Sequence, residues 1–352
     1  MDRTIYSLQY LRAIAAALVV IHHAREQIEG VRNLFESPFG SAGVDIFFVI
    51  SGFIMMHVTS GKRPQPLTFF IHRLARVAPL YWIFTVALAL LLIFAPSFFR
   101  STSLSTDALL NSLFFLPYEW EDGRVRPLLS IGWTLNYEMF FYVVFSISLL
   151  FHKESIRLPF VAACLLLLIC LSEIVSELLK IESTYLAHYG STIILEFVAG
   201  MLISQIFSRG WFGNRVRGTI ILVTGIGLFF LVSLSIPEDG RLRFLYFGLP
   251  AALLVSGCLD IESSKIRIKK SNFMSTLGDS SYSLYVSHIF ALGVCRAAAH
   301  LIGLHIDSWL EAIVFLLACL IFCEIVGYLV YTTVERPMTR ASKLLTSRLA
   351  AS

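Results

Sequence analysis

Apolar positions along this chain form long continuous stretches, and polar positions gather between them. Crossing the hydrocarbon core of a bilayer takes roughly 20 predominantly apolar residues in a helix. Runs of that kind fall at about 5–25, 41–60, 77–97, 128–151, 157–178, 190–207, 216–235, 242–258, 282–303 and 308–334. The sixth and eighth are the shortest. The pattern predicts an all-α, polytopic integral membrane protein with about ten transmembrane helices. An even number of crossings puts both termini on one side. Cytoplasmic loops are enriched in Lys and Arg, and a cytoplasmic N-terminus places 18 cations in inner segments against 8 in outer ones. Both termini are therefore expected in the cytoplasm. The inner 259–281 loop, with Lys265, Arg267, Lys269 and Lys270, reads as a topology anchor at the anionic inner leaflet.

Composition sharpens this in one direction. Of 352 residues 57% are hydrophobic and only 15% charged, with a mean hydropathy of +0.75. A soluble domain carries about 25% charged residues, and no polar stretch here is long enough to build one. The expected organisation is a single transmembrane domain over 1–340 with a short cytoplasmic tail, 341–352. Basic residues sit between apolar runs and form no stripe, so nucleic acid is not expected as a partner. The six cysteines all lie inside apolar runs without a CxxC or Cys/His spacing, so they read as small buried hydrophobes and no metal site is expected. Arg3 precedes the first run in the manner of a signal peptide, but Gln9 and Arg12 interrupt its core, and an uncleaved first helix is expected.

Within the runs, a few polar residues stand where lipid should be. Arg12 and His23 belong to the first. They are eleven residues apart, within about 20° of three full turns, so they share one helix face at depths about 16 Å apart. An arginine costs roughly 2.5–3.5 kcal/mol at a helix centre even on lenient scales, and such charges usually face a protein interior or a wet cavity. Asp45 opens the second run and is expected at the level of His23, where a carboxylate can orient an imidazole; a helix-start aspartate favoured by the dipole is the plainer alternative. Arg73 and Arg76 are neighbours on one face at the expected cytoplasmic mouth. Paired guanidiniums suit phosphate, while positive-inside flanking explains them as well. Glu138 is expected about 15 Å deep, a functional candidate by position, with pairing to Arg12 as the structural alternative. His288 is expected in the cytoplasmic half, where a core histidine is the simpler reading. Glu196, Arg296 and Glu324 are further charges within runs, for which mutual pairing is the default. The outer loop 98–127, with Glu119, Trp120, Asp122, Arg124 and Arg126, suits either a carbohydrate surface or a solvated connector.

Taken in order, Arg12-x10-His23, Gly43-Val44-Asp45-Ile46-Phe47-Phe48-Val49-Ile50-Ser51-Gly52-Phe53, Arg73-x-x-Arg76 with Pro79-Leu80-Tyr81-Trp82, Trp133-Thr134-Leu135-x-x-Glu138, and Ser281-Tyr282-Ser283-Leu284-Tyr285 with His288 resemble the membrane-bound acyltransferase-3 family. The likeness is greatest to its exopolysaccharide-acetylating branch, with Asn136-Tyr137 where that family more often shows Ser-Val. The resemblance implies an O-acyltransferase of the bacterial inner membrane. It would move an acyl group, in the first instance acetyl, from cytoplasmic acetyl-CoA or another acyl-CoA to a hydroxyl of a polysaccharide or lipid-linked oligosaccharide. Acyl-CoA would serve as co-substrate, with no tightly bound cofactor. By the same resemblance Arg73 and Arg76 would grip CoA phosphates, His23 would be general base with Asp45 orienting it, and Arg12 would stabilise the acyl carbonyl or the pantetheine end. Glu138 would polarise His23 or Arg12. Two other classes remain open from the residues themselves. A proton-coupled glycan exporter would also place such side chains in its spans, and a non-enzymatic partner in an assembly complex would need no polar path.

Overall fold

A computed structural model describes residues 4–34, 39–96, 103–233, 242–264 and 270–349. Among them the ordered elements are helices, apart from one isolated antiparallel bridge between Glu119 and Val125. The α-helices are α1 (Tyr6–Arg25), α2 (Glu29–Leu34), α3 (Ala42–Thr59), α4 (Pro66–Phe94), α5 (Thr106–Leu113), α6 (Trp133–Ser148), α7 (Arg157–Glu173), α8 (Thr184–Tyr189), α9 (Leu195–Ser208), α10 (Arg215–Ser233), α11 (Leu249–Glu262), α12 (Asn272–Leu301), α13 (Trp309–Val330) and α14 (Arg336–Leu349).

Every one of the ten apolar runs contains a helix. Among the described residues, seven segments are long and apolar enough to cross a membrane: Ala42–Thr59, Pro66–Phe94, Glu154–Leu178, Arg215–Val232, Phe244–Glu262, Asn272–Leu301 and Trp309–Ser342. The other three runs hold α1, α6 and the shorter apolar helix Thr192–Ser208. Two of these carry the polar residues of interest, which is why their hydropathy is low. Large apolar side chains such as Leu167, Val216, Ile220, Leu310 and Leu317 are exposed, as expected where lipid rather than water is the solvent. Of the expected topology anchors, Lys265, Arg267 and Lys269 lie outside the described residues.

The chain packs as two units, Met1–His57 with Ala199–Glu335, and Val58–Val198 with Arg336–Ser352. In the first, α1 packs against α11, α12 and α13. Its register is fixed at its start. The first amides of a helix have no partner within it, and here the backbone N–H groups of Tyr6 and Ser7 donate to the two carboxylate oxygens of Glu262 at the end of α11, at 2.9 and 2.8 Å. Tyr10 Oη accepts from the backbone N–H of Ser271 at 2.6 Å, the residue that caps α12. Close approach then needs small residues. A Cβ on Gly278 would stand 2.3 Å from the Gln9 carbonyl oxygen, and one on Gly43 would stand 2.2 Å from that of Ala15. Neighbouring contacts at Gln9–Gly278 and Arg12–Ser281 show that α1 and α12 run in the same direction.

One boundary differs from the sequence pattern in a way that matters for function. The ninth apolar run begins near 282, yet α12 begins at Asn272. Its first three turns are rich in small polar residues, Ser275, Gly278, Ser280 and Ser281. They lower hydropathy without breaking the helix, because they pack on α1 rather than on lipid.

In the second unit, α4 packs on α5, α6 and α14, and α6 on α7. Aromatic contacts set the core, with Phe141 stacked on Phe197 at 4.2 Å and Phe69 against Phe145 at 5.3 Å. Arg157, the first residue of the fifth apolar run, is 2% exposed. It donates to the carbonyls of Thr59 and Lys62, each at 3.0 Å, at and just past the end of α3.

Candidate functional site

The first polar set lies on α1, α3 and α12 and at Arg243, which leads through the helical segment Phe244–Gly248 into α11. Helix α1 is continuous from Tyr6 to Arg25, so the shared face of Arg12 and His23 follows from helix geometry. Arg12 Nη2 donates to Ser281 Oγ at 3.0 Å and Nη1 to Gln9 Oε1 at 3.4 Å. Both oxygens help to hold the guanidinium in place. The His23 ring stands edge-on to His22 at 5.0 Å and tilted against His288 at 5.2 Å between centroids.

Two expectations are corrected here. His288 is not remote from His23. Because α12 starts ten residues early, His288 lies sixteen residues along it, about 24 Å from its N-terminal end, and meets His23 ring to ring. Asp45, expected to orient His23, has another task. Its Oδ2 accepts from Arg243 Nη2 at 2.9 Å, with Asp45 wholly buried and Arg243 7% exposed. Gly43, two residues earlier, packs on Ala15 and Val19, one to two turns of α1 below His23, so Asp45 is not at the imidazole's level. Arg243 also lies over the Phe247 ring at 5.2 Å. It stands at the very start of the eighth apolar run, and no periodicity in the sequence marks it as the partner of Asp45.

The second set belongs to α4 and α6. Arg73 and Arg76 lie on the early turns of α4, which begins at Pro66. They therefore sit on a formed helix, as neighbours one turn apart. Arg73 is within electrostatic range of Arg76, Glu138 and Tyr142, and its guanidinium carbon stands 5.3 Å over the Phe69 ring. Helix α6 starts at Trp133, so Glu138 is about 8 Å along its axis. Its Oε1 accepts from the hydroxyl of Tyr142, one turn on. Asn136, on the same helix, is wholly buried, and its amide oxygen and nitrogen find no partner among the described residues. Of the remaining charges, Glu196 is wholly buried and Arg296 is exposed.

The outer connection is built from its own contacts. Trp120 donates its indole N–H to the Arg126 carbonyl at 2.9 Å and lies under the Arg126 guanidinium at 5.7 Å. Asp122 is held below the usual carboxylate range by the backbone N–H of Arg124 and then by its guanidinium, 2.8 Å away. Thr184 donates to Glu119. Nearby, His188 stacks on Tyr137 at 4.2 Å while its carbonyl accepts from the Tyr137 hydroxyl at 2.5 Å. Burial lowers the His188 imidazole to about 4.

Comparison with known proteins identifies the class. The model of the acyltransferase domain Acyl_transf_3 matches residues 5–328. The chain belongs to the acyltransferase-3 family. It is 35% identical over 309 residues to the exopolysaccharide production protein ExoZ of Rhizobium meliloti, covering 86% of this chain and 91% of that one. It is 25% identical to the acyltransferase MdmB of Streptomyces mycarofaciens, over 95% and 91% of the two chains. It is 23% identical to the peptidoglycan O-acetyltransferase OatA of Listeria monocytogenes, over 80% and 48%. No solved structure matches it. As an acyltransferase-3 protein the chain is an O-acyltransferase, and its apolar helices make it a multi-pass membrane protein.

Proposed function

We propose that this acyltransferase-3 protein takes an acyl group, in the first instance acetyl, from cytoplasmic acyl-CoA and delivers it to a hydroxyl of a polysaccharide or lipid-linked oligosaccharide. It would work from the bacterial inner membrane with both termini in the cytoplasm. The observation that carries the reading is the single face of α1, with Arg12 at one depth, where Gln9 Oε1 and Ser281 Oγ accept from it, and an imidazole three turns further on. ExoZ, named for exopolysaccharide production, and OatA, named for O-acetylation of peptidoglycan, supply the acceptor class.

The chemistry follows from the side chains. Arg73 and Arg76 bind the diphosphate and 3′-phosphate charges of CoA, the contact that guanidinium pairs make best. Arg12, about 16 Å along α1 from His23, holds the pantetheine end of the donor below the reacting carbonyl. His23 accepts the acceptor's hydroxyl proton as the new C–O bond forms. The C–S bond breaks, and the thiolate recovers that proton to leave as CoA thiol.

The test uses the purified full chain in liposomes with labelled acetyl-CoA and an oligosaccharide acceptor. Wild-type protein is expected to release CoA and label the glycan, while His23→Ala and Arg12→Ala, recovered in normal amount, do neither. Glycan movement without acyl-CoA, or full acylation by either variant, would overturn the proposal.

A further inference from the structure

Sequence reasoning gave the task of orienting His23 to Asp45, and the Asp45–Arg243 pair leaves that task unfilled. A general base needs a fixed ring. Which imidazole nitrogen carries the proton is decided by the hydrogen bond the other one makes. Among the described residues, the ring of another helix that meets His23 is that of His288, tilted at 32°, and its own state is settled by geometry. His288 Nδ1 lies 2.6 Å from the carbonyl oxygen of Tyr285. A carbonyl oxygen can only accept, so Nδ1 carries the hydrogen, and in the neutral ring Nε2 is then a bare acceptor. The residue is wholly buried, and Nε2 has no hydrogen-bond partner among the described residues.

A buried acceptor without a donor costs roughly 1–3 kcal/mol, and the nearest ring able to supply a donor is His23. Two imidazoles joined edge to edge by an N–H···N contact of about 3 Å have centres roughly 5 Å apart; the observed separation is 5.2 Å, with the planes 32° apart. The torsion about the Cβ–Cγ bond of histidine is broad, so the His23 ring is able to turn an N–H toward His288 Nε2. Helix α12 would thereby serve both polar residues of α1. Ser281 holds Arg12, and His288, seven residues and almost two full turns later on the same face, holds His23.

We propose that His288 is the positioning residue for His23. Its Nε2 accepts from one His23 N–H, fixes the tautomer, and leaves the other His23 nitrogen as the base facing the acceptor hydroxyl. This deepens the acyl-transfer reading and rests on it. A neutral orienting group suits the interior of a membrane protein, where a carboxylate in the same place would need a counter-charge. The charged and titratable groups around the pair are His22 and Arg25 on α1, Tyr285 on α12, and Cys323 on α13, whose thiol reaches the His288 carbonyl at 4.0 Å.

Two amide substitutions separate positioning from filling space. In His288→Asn the side-chain nitrogen can still donate to the Tyr285 carbonyl, but nothing reaches the Nε2 position. In His288→Gln the amide oxygen occupies that position and can accept from His23. With the full chain in liposomes, His288→Asn is expected to lower kcat on the order of 100-fold with KM for acetyl-CoA within twofold. His288→Gln should stay within tenfold of wild type. A His288→Asn protein that keeps more than half of the wild-type kcat, or equal losses in both variants, would overturn the assignment. An activity-independent reading comes from 15N NMR of histidine-labelled protein in liposomes. One dominant His23 tautomer is expected in wild type and a mixture in His288→Asn, whereas an unchanged tautomer ratio sinks the proposal. If wild-type protein transfers no acyl group while this tautomer dependence holds, the functional reading has failed and the pairing has not.

Discussion

At the scale of single residues, the buried pair Asp45–Arg243 and the pair Arg12–Ser281 make opposite predictions. Removing one partner of a buried ion pair leaves an uncompensated charge and costs about 3–5 kcal/mol. Asp45→Ala should therefore lower the yield and melting temperature of the folded protein, and Asp45→Leu with Arg243→Leu should recover much of the loss. If Asp45 instead orients His23, the double variant would be stable but inactive while Arg243→Leu alone kept its activity. Ser281→Ala should act on rate. A hydrogen bond to a charged group is worth about 1.5–3 kcal/mol, so a tenfold or greater fall in kcat/KM with little change in melting is expected. Arg73→Ala should raise the KM for acyl-CoA more than it lowers kcat; an unchanged KM would reduce that arginine to a flanking charge. His188 supplies a pH dependence. Its folded pKa, about 4, lies below the ordinary 6.5, so between those values the unfolded chain binds the extra proton and stability falls as pH drops. Melting in detergent at pH 7 and pH 5 should differ less for His188→Phe than for wild type.

At the scale of elements, the decisive object is the contact between α1 and α12. It depends on an absent side chain. Gly278→Val would drive a Cβ into the Gln9 carbonyl, and overpacking of this kind costs typically 1–3 kcal/mol. The expected result is a lower melting temperature together with loss of acyl transfer, since both Ser281 and His288 are carried away from α1. Gly293→Ala is the control on the same helix: among the described residues, nothing outside its own stretch of helix lies within 4 Å of its Cβ, so the variant should be as stable as wild type or more so, because alanine costs less than glycine in a helix by roughly 0.5–1 kcal/mol. Equal effects of the two substitutions would show that helix propensity, not the close contact, governs. The early start of α12 was hidden in the sequence for the same reason the contact forms. Serines and glycine that permit close packing also lower the hydropathy by which a span is recognised.

At the scale of the whole molecule, the cation bias predicts that reporters fused after α3 and after α13 report the cytoplasm and one inserted in the 103–127 connection reports the opposite side; the reverse pattern would exclude the proposed direction of transfer. The sequence alone determined the helical class, the ten apolar runs and the shared face of Arg12 and His23. Each depends only on local composition or on the 3.6-residue turn, and the ordered motifs were enough to reveal the family. What faces His23 was decided by tertiary structure. Asp45 meets Arg243 across 198 residues and Arg12 meets Ser281 across 269. Those partners are chosen by how helices approach, through the Glu262 cap on α1, the Tyr10 contact with Ser271, and glycines that let backbones touch. No periodicity within one helix carries that information, because a helix fixes which of its residues share a face and leaves open what that face will meet.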